Sequence, residues 1–215
     1  ERCWDKVLVD LFGPSKNHIV VVQDMGSQYP VAKLVSSTQG KKVLPVLANI
    51  YDTYGNPSEQ LSDNGPPFNS VAMQKFAEER GIQLEKIPPL HPAANPVESF
   101  MRPLGKTMKI ANYNNTAENE ALNILIKNYR DTPHPATGVP PAAMLFRDSV
   151  SNIFPRQAVS DDEAKEARKR DIIQKQGYET RVNESKYKKH LEIVVGDKVI
   201  IRNYKKQRKF EPIFL

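Results

Sequence analysis

Three carboxylates fall where divalent-metal chemistry could use them: Asp10 in "WDKVLVDLF", Asp63 in "LSDNGPPF" and Glu98 in "NPVESFMRPLGK". A carboxylate is a metal ligand or an acid/base group only where others converge on it. An isolated Asp-Asn-Gly is otherwise a turn, because its short side chains bond nearby backbone and Gly accepts positive φ. If the three meet, two divalent ions about 3.5–4 Å apart could activate an attacking oxygen and stabilise a leaving one in phosphoryl transfer. Mg2+ suits such a site, since it takes oxygen ligands and keeps water for a substrate to displace. Asp24 reads as an ordinary strand-end carboxylate. His91, one of four histidines, reads as a residue orienting its loop before Pro92. Cys3 is the sole cysteine, which excludes an internal disulfide and a Cys-rich zinc site within the chain.

For the carboxylates to meet, the elements that carry them must be neighbours. Trp4 to Phe12 alternates as a strand, with Val7, Val9 and Leu11 on one face and Lys6, Leu8, Asp10 and Phe12 on the other. "HIVVVQD", His18 to Asp24, is a second strand whose continuous apolar run implies burial on both faces. Tyr29 to Ser37 gives a third, completing a meander. Val43, Leu44, Val46, Leu47, Ile50 and Tyr54 then recur at helical spacing between Thr38, a candidate cap, and Gly55, a candidate stop. A short strand leads to Asp63, a helix spans about Ser70 to Arg80, and a further strand covers Gln83 to Ile87. A meander followed by strands alternating with helices predicts an α/β layer fold with a mixed sheet.

After "PPLHPAANP" a helix is expected from about Asn95 to Asn112, with Val97, Met101, Leu104 and Met108 as its apolar stripe and Glu98, Arg102, Lys106 and Lys109 as a polar one. Another is expected over Ala117 to Tyr129, with Leu122, Leu125 and Ile126 inward. Val159 to His190 is mostly charged and weakly periodic, and reads as a linker, helical in part. "VVGDKVIIRNY" restores strand alternation, but the 25 residues from Leu191 onward are too few to close a barrel.

The chain has 215 residues, enough for one well-buried domain and an appendage, and a net charge of +6. The charge is uneven. Between Lys165 and Glu211 fifteen Lys and Arg stand against seven Asp and Glu, a balance of +8, which leaves −2 for the remainder. Such a basic block is either a solvated face or the footprint of a protein that tracks phosphates. No apolar run approaches the roughly 18 residues of a membrane span, and the first residues show no signal-peptide pattern. A soluble, intracellular protein without membrane association is the expectation.

Taken together, "VLVDLFGP", "LSDNGPPFNS", "HPAANPVESFMRPLGK" and "NYRDTPHPATGVPPAAMLF" resemble the catalytic core of gypsy-type LTR-retrotransposon integrases, relatives of retroviral DDE integrases. The resemblance runs from about Trp4 to Arg147, and "VGDKVIIRN" resembles the start of the SH3-like C-terminal domain of the same proteins. It implies an RNase H-like core over residues 1–150, with a mixed five-stranded sheet flanked by helices. A charged, partly helical linker over 151–190 and an incomplete SH3-like β module over 191–215 would follow. It also implies Asp10, Asp63 and Glu98 as catalytic residues holding two Mg2+ or Mn2+ ions. DNA contacts would come from Asn64, Gly65, Arg102, Lys106, Lys109, Lys198 and Arg202.

The implied chemistry is endonucleolytic trimming of element DNA ends by water, then attack of the new 3′-hydroxyl on a target phosphodiester. Implied partners are double-stranded DNA of the element ends and target, further copies of the chain and a possible chromatin partner. The implied setting is nuclear, with a cytoplasmic stage as a particle component. Two features depart from the family pattern. The 34 residues between Asp63 and Glu98 are one short of its usual spacing, and its upstream zinc-binding domain is not within this chain. The shortening falls in "HPAANPVE", a loop running into a helix start, which should leave Glu98 in the first turn, facing Asp10 and Asp63. Two readings stay open: an active integrase, or a domesticated integrase-derived protein that binds DNA or partners without catalysis. An RNase H-like ribonuclease would need a fourth carboxylate, and none presents itself.

Overall fold

The computed structural model describes residues 3–13, 17–87, 97–146 and 159–186, and of Glu98, Glu179 and residues 182–186 the backbone only. Five strands form one sheet: β1 (Lys6–Phe12), β2 (His18–Asp24), β3 (Pro30–Val35), β4 (Glu59–Ser62) and β5 (Gln83–Lys86). Their spatial order is β3-β2-β1-β4-β5. The meander β1-β2-β3 is antiparallel, and β4 and β5 add to β1 in parallel. The sheet is therefore mixed, with β1 at the seam between its two halves.

The alternation in β1 divides the core. Val7 and Val9 enter one cluster with Val43, Leu47, Ile50 and Tyr51 of α1 (Gly40–Tyr54) and Met73 and Ala77 of α2 (Val71–Arg80). Leu8 enters a second, with Phe100 and Leu104 of α3 (Glu98–Tyr113) and Leu122 and Ile126 of α4 (Glu118–Asp131). Helices thus cover both sheet faces. β2 feeds both clusters, Val20 and Val22 to one and Ile19 and Val21 to the other, which is why its apolar run is continuous. A five-stranded mixed sheet flanked by helices is compatible with the RNase H-like fold implied by the resemblance.

Several element ends differ from expectation for local reasons. β1 starts at Lys6, because Trp4 has φ 66 and cannot extend the strand. Instead its N–H donates to Asp24 Oδ1 at 2.9 Å and its indole N–H to Gly55 O at 2.8 Å. β3 is shorter than Tyr29 to Ser37. Thr38 does not cap α1, whose N-cap is Gln39 without a side-chain bond. Gly55 does stop that helix, with φ 95 and its N–H on Tyr51 O. Ser70 caps α2 by accepting from Met73 N, and Gly81, in the left-handed region, closes it while Ile82 N–H reaches Ala77 O.

The chain divides into two compact units, Glu1–Glu179 and Thr180–Leu215. Within the stretch expected as a charged, partly helical linker, the described residues form α6 (Asp161–Lys186), which comes after α5 (Pro141–Phe146) in the chain. Ala164 and Ala167 of α6 pack on Met144. A capping box starts α6: Glu163 N–H donates to Ser160 Oγ, and Ser160 N–H to Glu163 Oε2 at 2.9 Å. The expected SH3-like module, with Lys198 and Arg202, lies outside the described residues, as do His91 and the helix start near Asn95. Among the described residues no helix is long and apolar enough to cross a membrane.

Candidate active site

The parallel pair β1–β4 sets the register of the first two carboxylates. Lys6, Val7, Leu8 and Val9 face Glu59, Gln60, Leu61 and Ser62 in turn. The next step along each chain is Asp10 and Asp63. Both follow the parity of Leu8 and Leu61, which belong to the cluster beneath α3 and α4. Asp10 and Asp63 are thus each the first residue beyond the last paired position of β1 and β4, whose strand lines run about 4.8 Å apart in a sheet.

Each carboxylate is oriented by backbone. Asp10, half-buried, accepts Leu11 N–H on Oδ1 at 2.7 Å. Asp63, exposed, accepts Gly65 N–H on Oδ1 at 3.0 Å, the bond of an Asx turn. A Cβ on Gly65 would stand 3.1 Å from both Asp63 carboxylate oxygens. The absent side chain at Gly65 thus makes room first for the Asp63 carboxylate itself. Asn64 is exposed at the tip of the same turn.

Lys86, a residue that sequence reasoning missed, holds this turn from below. It ends β5 in register with Ser62. Its Nζ donates to Phe68 O at 2.6 Å and to Ser62 Oγ at 3.4 Å. Burial pushes the Lys86 pKa down, and the negative charge of Asp63 opposes that shift. Phe68 is buried, so the return of the turn into α2 is anchored at both its side chain and its carbonyl.

Glu98 opens α3, with Phe100 N–H and Met101 N–H both bonded to Val97 O. It precedes Gly105 by seven residues and shares its helix face. Gly105 lies over Phe12, two residues beyond Asp10 on the same face of β1. The first turn of α3 is thus a packed position, since Val97 and Phe100 are both fully buried. Among the described residues no three His, Cys, Asp or Glu side chains converge as a metal cage. Asp10 and Asp63 supply two carboxylates, and a third donor would have to come from Glu98. Arg102, Lys106 and Lys109 are exposed on α3.

Asp24 is not part of this arrangement. Fully buried, it accepts Trp4 N–H on Oδ1, and Ser27 N–H and Oγ–H on Oδ2. It ties the β2–β3 turn to the residues before β1. A second buried polar group is His134, between α4 and α5. Its Nδ1 accepts Ala136 N–H at 3.2 Å.

No protein-family model matches the chain. Over 152 residues, 68% of this chain, it is 22% identical to the Retrovirus-related Pol polyprotein from transposon 297 of Drosophila melanogaster. The match covers 14% of that polyprotein, and it relates the chain, at that coarse level, to retroelement Pol proteins.

Proposed function

We propose that the chain is the RNase H-like catalytic core of a retroelement integrase, a metal-dependent polynucleotidyl transferase that trims element DNA 3′ ends and joins them to target DNA. The observation that supports this reading is the β1–β4 register, whose last pair, Val9 and Ser62, is followed on each chain by the carboxylates Asp10 and Asp63. The donor set suits a hard cation, because these carboxylates offer oxygen and neither nitrogen nor sulfur. Asp10, Asp63 and Glu98 would hold two Mg2+ or Mn2+ ions, which when bound activate the attacking oxygen and stabilise the leaving one.

The chain itself supplies position. The sheet fixes Asp10, the Asx turn fixes Asp63, and the Leu11 and Gly65 amides keep each carboxylate turned so that less reorganisation precedes the reaction. Arg102, Lys106 and Lys109 would neutralise DNA phosphates along α3, with Asn64 and Gly65 at the turn. Lys198 and Arg202 belong to the basic C-terminal quarter, which would add affinity that falls with salt. Element ends, target DNA and further copies of the chain are the partners this reading requires, with a chromatin partner as a possible guide. The setting would be nuclear, after a cytoplasmic particle stage.

The test is strand transfer into plasmid by oligonucleotides that mimic element ends, with Mg2+ or Mn2+, using the chain with and without an upstream zinc-binding domain. Joining is expected, and Asp63→Asn should abolish it. Undiminished nicking by folded Asp63→Asn overturns the metal reading. DNA binding without any joining by either form favours the domesticated, non-catalytic protein.

A further inference from the structure

α3 carries a line of exposed side chains that outruns the phosphate-binding role assigned to it. Arg102, Lys106, Lys109 and Tyr113 follow one another at helical intervals, so they lie on one stripe. Tyr113, at the last turn, is 88% exposed, and Ile110 beside it is 59% exposed. A tyrosine ring so placed contributes nothing to the core and offers a planar apolar face with a polar tip to a partner. Glu98 is the only carboxylate in α3, so from Arg102 to Tyr113 the helix presents cations with no intervening negative charge.

We infer that Tyr113, with Ile110 at its side, is a stacking platform for an unpaired DNA base, reached by a strand whose phosphates run along Lys106 and Lys109. This rests on the DNA-joining reading and adds to it a specificity for strands that carry unpaired bases. Basic side chains beside an open aromatic ring are the usual means of holding single strands, because every base has a π-face while the cations track the backbone. Charge complementarity selects a polyanion as the occupant. The ring selects nucleic acid over an acidic polypeptide, which would bring no planar group to stack.

The geometry also gives a position. From Glu98 to Tyr113 the helix rises about 22 Å at 1.5 Å per residue. That is about six steps of a stacked strand at roughly 3.4 Å each. The unpaired base would therefore lie about six nucleotides from the reacting phosphate.

The experiment uses the full chain and two labelled probes in fluorescence anisotropy: a blunt duplex, and the same duplex with a single-stranded extension. The unmodified chain should prefer the extended probe. Tyr113→Ala should weaken binding to the extended probe about tenfold, so that the preference collapses. Tyr113→Phe, which keeps the ring, should restore it. Lys106→Gln with Lys109→Gln should weaken both probes and flatten the salt dependence. If the unmodified chain shows no preference, or Tyr113→Ala keeps it in full, this inference falls and the integrase reading stands. If the chain binds neither probe, both fall. Tyr113 lies outside the core, so retained melting behaviour confirms that Tyr113→Ala reports on binding.

Discussion

Gly105 of α3 lies against the Phe12 ring of β1: a Cβ placed on Gly105 would meet Phe12 Cζ at 3.5 Å, an ordinary van der Waals contact. This is where the helix that carries Glu98 rests on the strand that carries Asp10. Gly105→Ala fits the space and removes glycine's helix penalty, so it should stabilise the chain by about 1 kcal/mol. Gly105→Leu must push α3 off the sheet, at a cost of about 1–3 kcal/mol, and should reduce strand transfer beyond what its stability loss explains. Denaturant unfolding and joining assays on the two variants check this. A Leu variant as stable as the Ala variant would show that the contact does not set the helix position.

Asp63 and Asp24 are both strand-end carboxylates with opposite roles, and one substitution separates them. Every oxygen of Asp24 faces donors, from Trp4 on one side and Ser27 on the other. Asp24→Asn must turn an NH2 towards one of them, whichever way it flips, and should destabilise the chain by about 1–3 kcal/mol. Asp63→Asn, at an exposed turn, should change stability little. Melting curves with and without Mn2+ give the contrast, because a ligand bound only by the folded state raises the melting temperature. The unmodified chain and Asp24→Asn should show the metal-dependent rise, whereas Asp63→Asn and Asp10→Asn should not. A rise that survives in Asp63→Asn rules out that residue as a ligand.

His134 should make stability depend on mildly acidic pH. Burial pushes its pKa below the ordinary 6.5. The negative charge of Asp171 opposes the shift, and the Lys175 ammonium adds to it. The folded state thus holds fewer protons on this group than the unfolded state. Its stabilising share is complete above pH 6.5 and is lost as pH falls from there through the lowered folded-state value. Urea titrations at pH steps below 6.5 should show falling stability. His134→Asn, whose side-chain oxygen can accept from the Ala136 amide in place of Nδ1, should flatten that fall.

Legibility from sequence followed the range of the interactions. The face alternation of β1 and the two-sided burial of β2 are local periodicities, and both were readable from Val7 to Val22. The β1–β4 register was not, because β4 is the four-residue EQLS and its partner lies about fifty residues away. The charged stretch after Val159 reads as a linker, helical in part, and its weak periodicity has a physical source: the packed side of α6 carries small residues, Ala164 and Ala167, while Ile172 and Ile173 are exposed. Ser160 and Glu163 were the available signal there, a capping box at the right spacing. Asp24 read as an incidental charge, since nothing near it in sequence announces that Trp4 would turn back to it.

Lys86 should prove to be the tether of the Asp63 turn. Its ammonium reaches across from β5 to the Phe68 carbonyl, and no other described side chain bonds that carbonyl. Within the turn, Phe68 N–H bonds Gly65 O at 2.9 Å and Ser70 N–H bonds Pro67 O at 3.1 Å, so amide exchange at Phe68 and Ser70 reports on whether the turn holds its shape. Lys86→Met keeps the apolar stem and removes the donor. It should cost on the order of 1 kcal/mol in stability, speed exchange at both amides, and lower joining activity by more than the stability loss accounts for, because the turn that carries Asp63 then loses its fixed position. Lys86→Arg should recover part of the exchange protection, since a guanidinium can also donate to the carbonyl. If Lys86→Met leaves exchange at Phe68 and Ser70 unchanged, the turn is held by Phe68 packing alone, and Lys86 has no part in positioning Asp63.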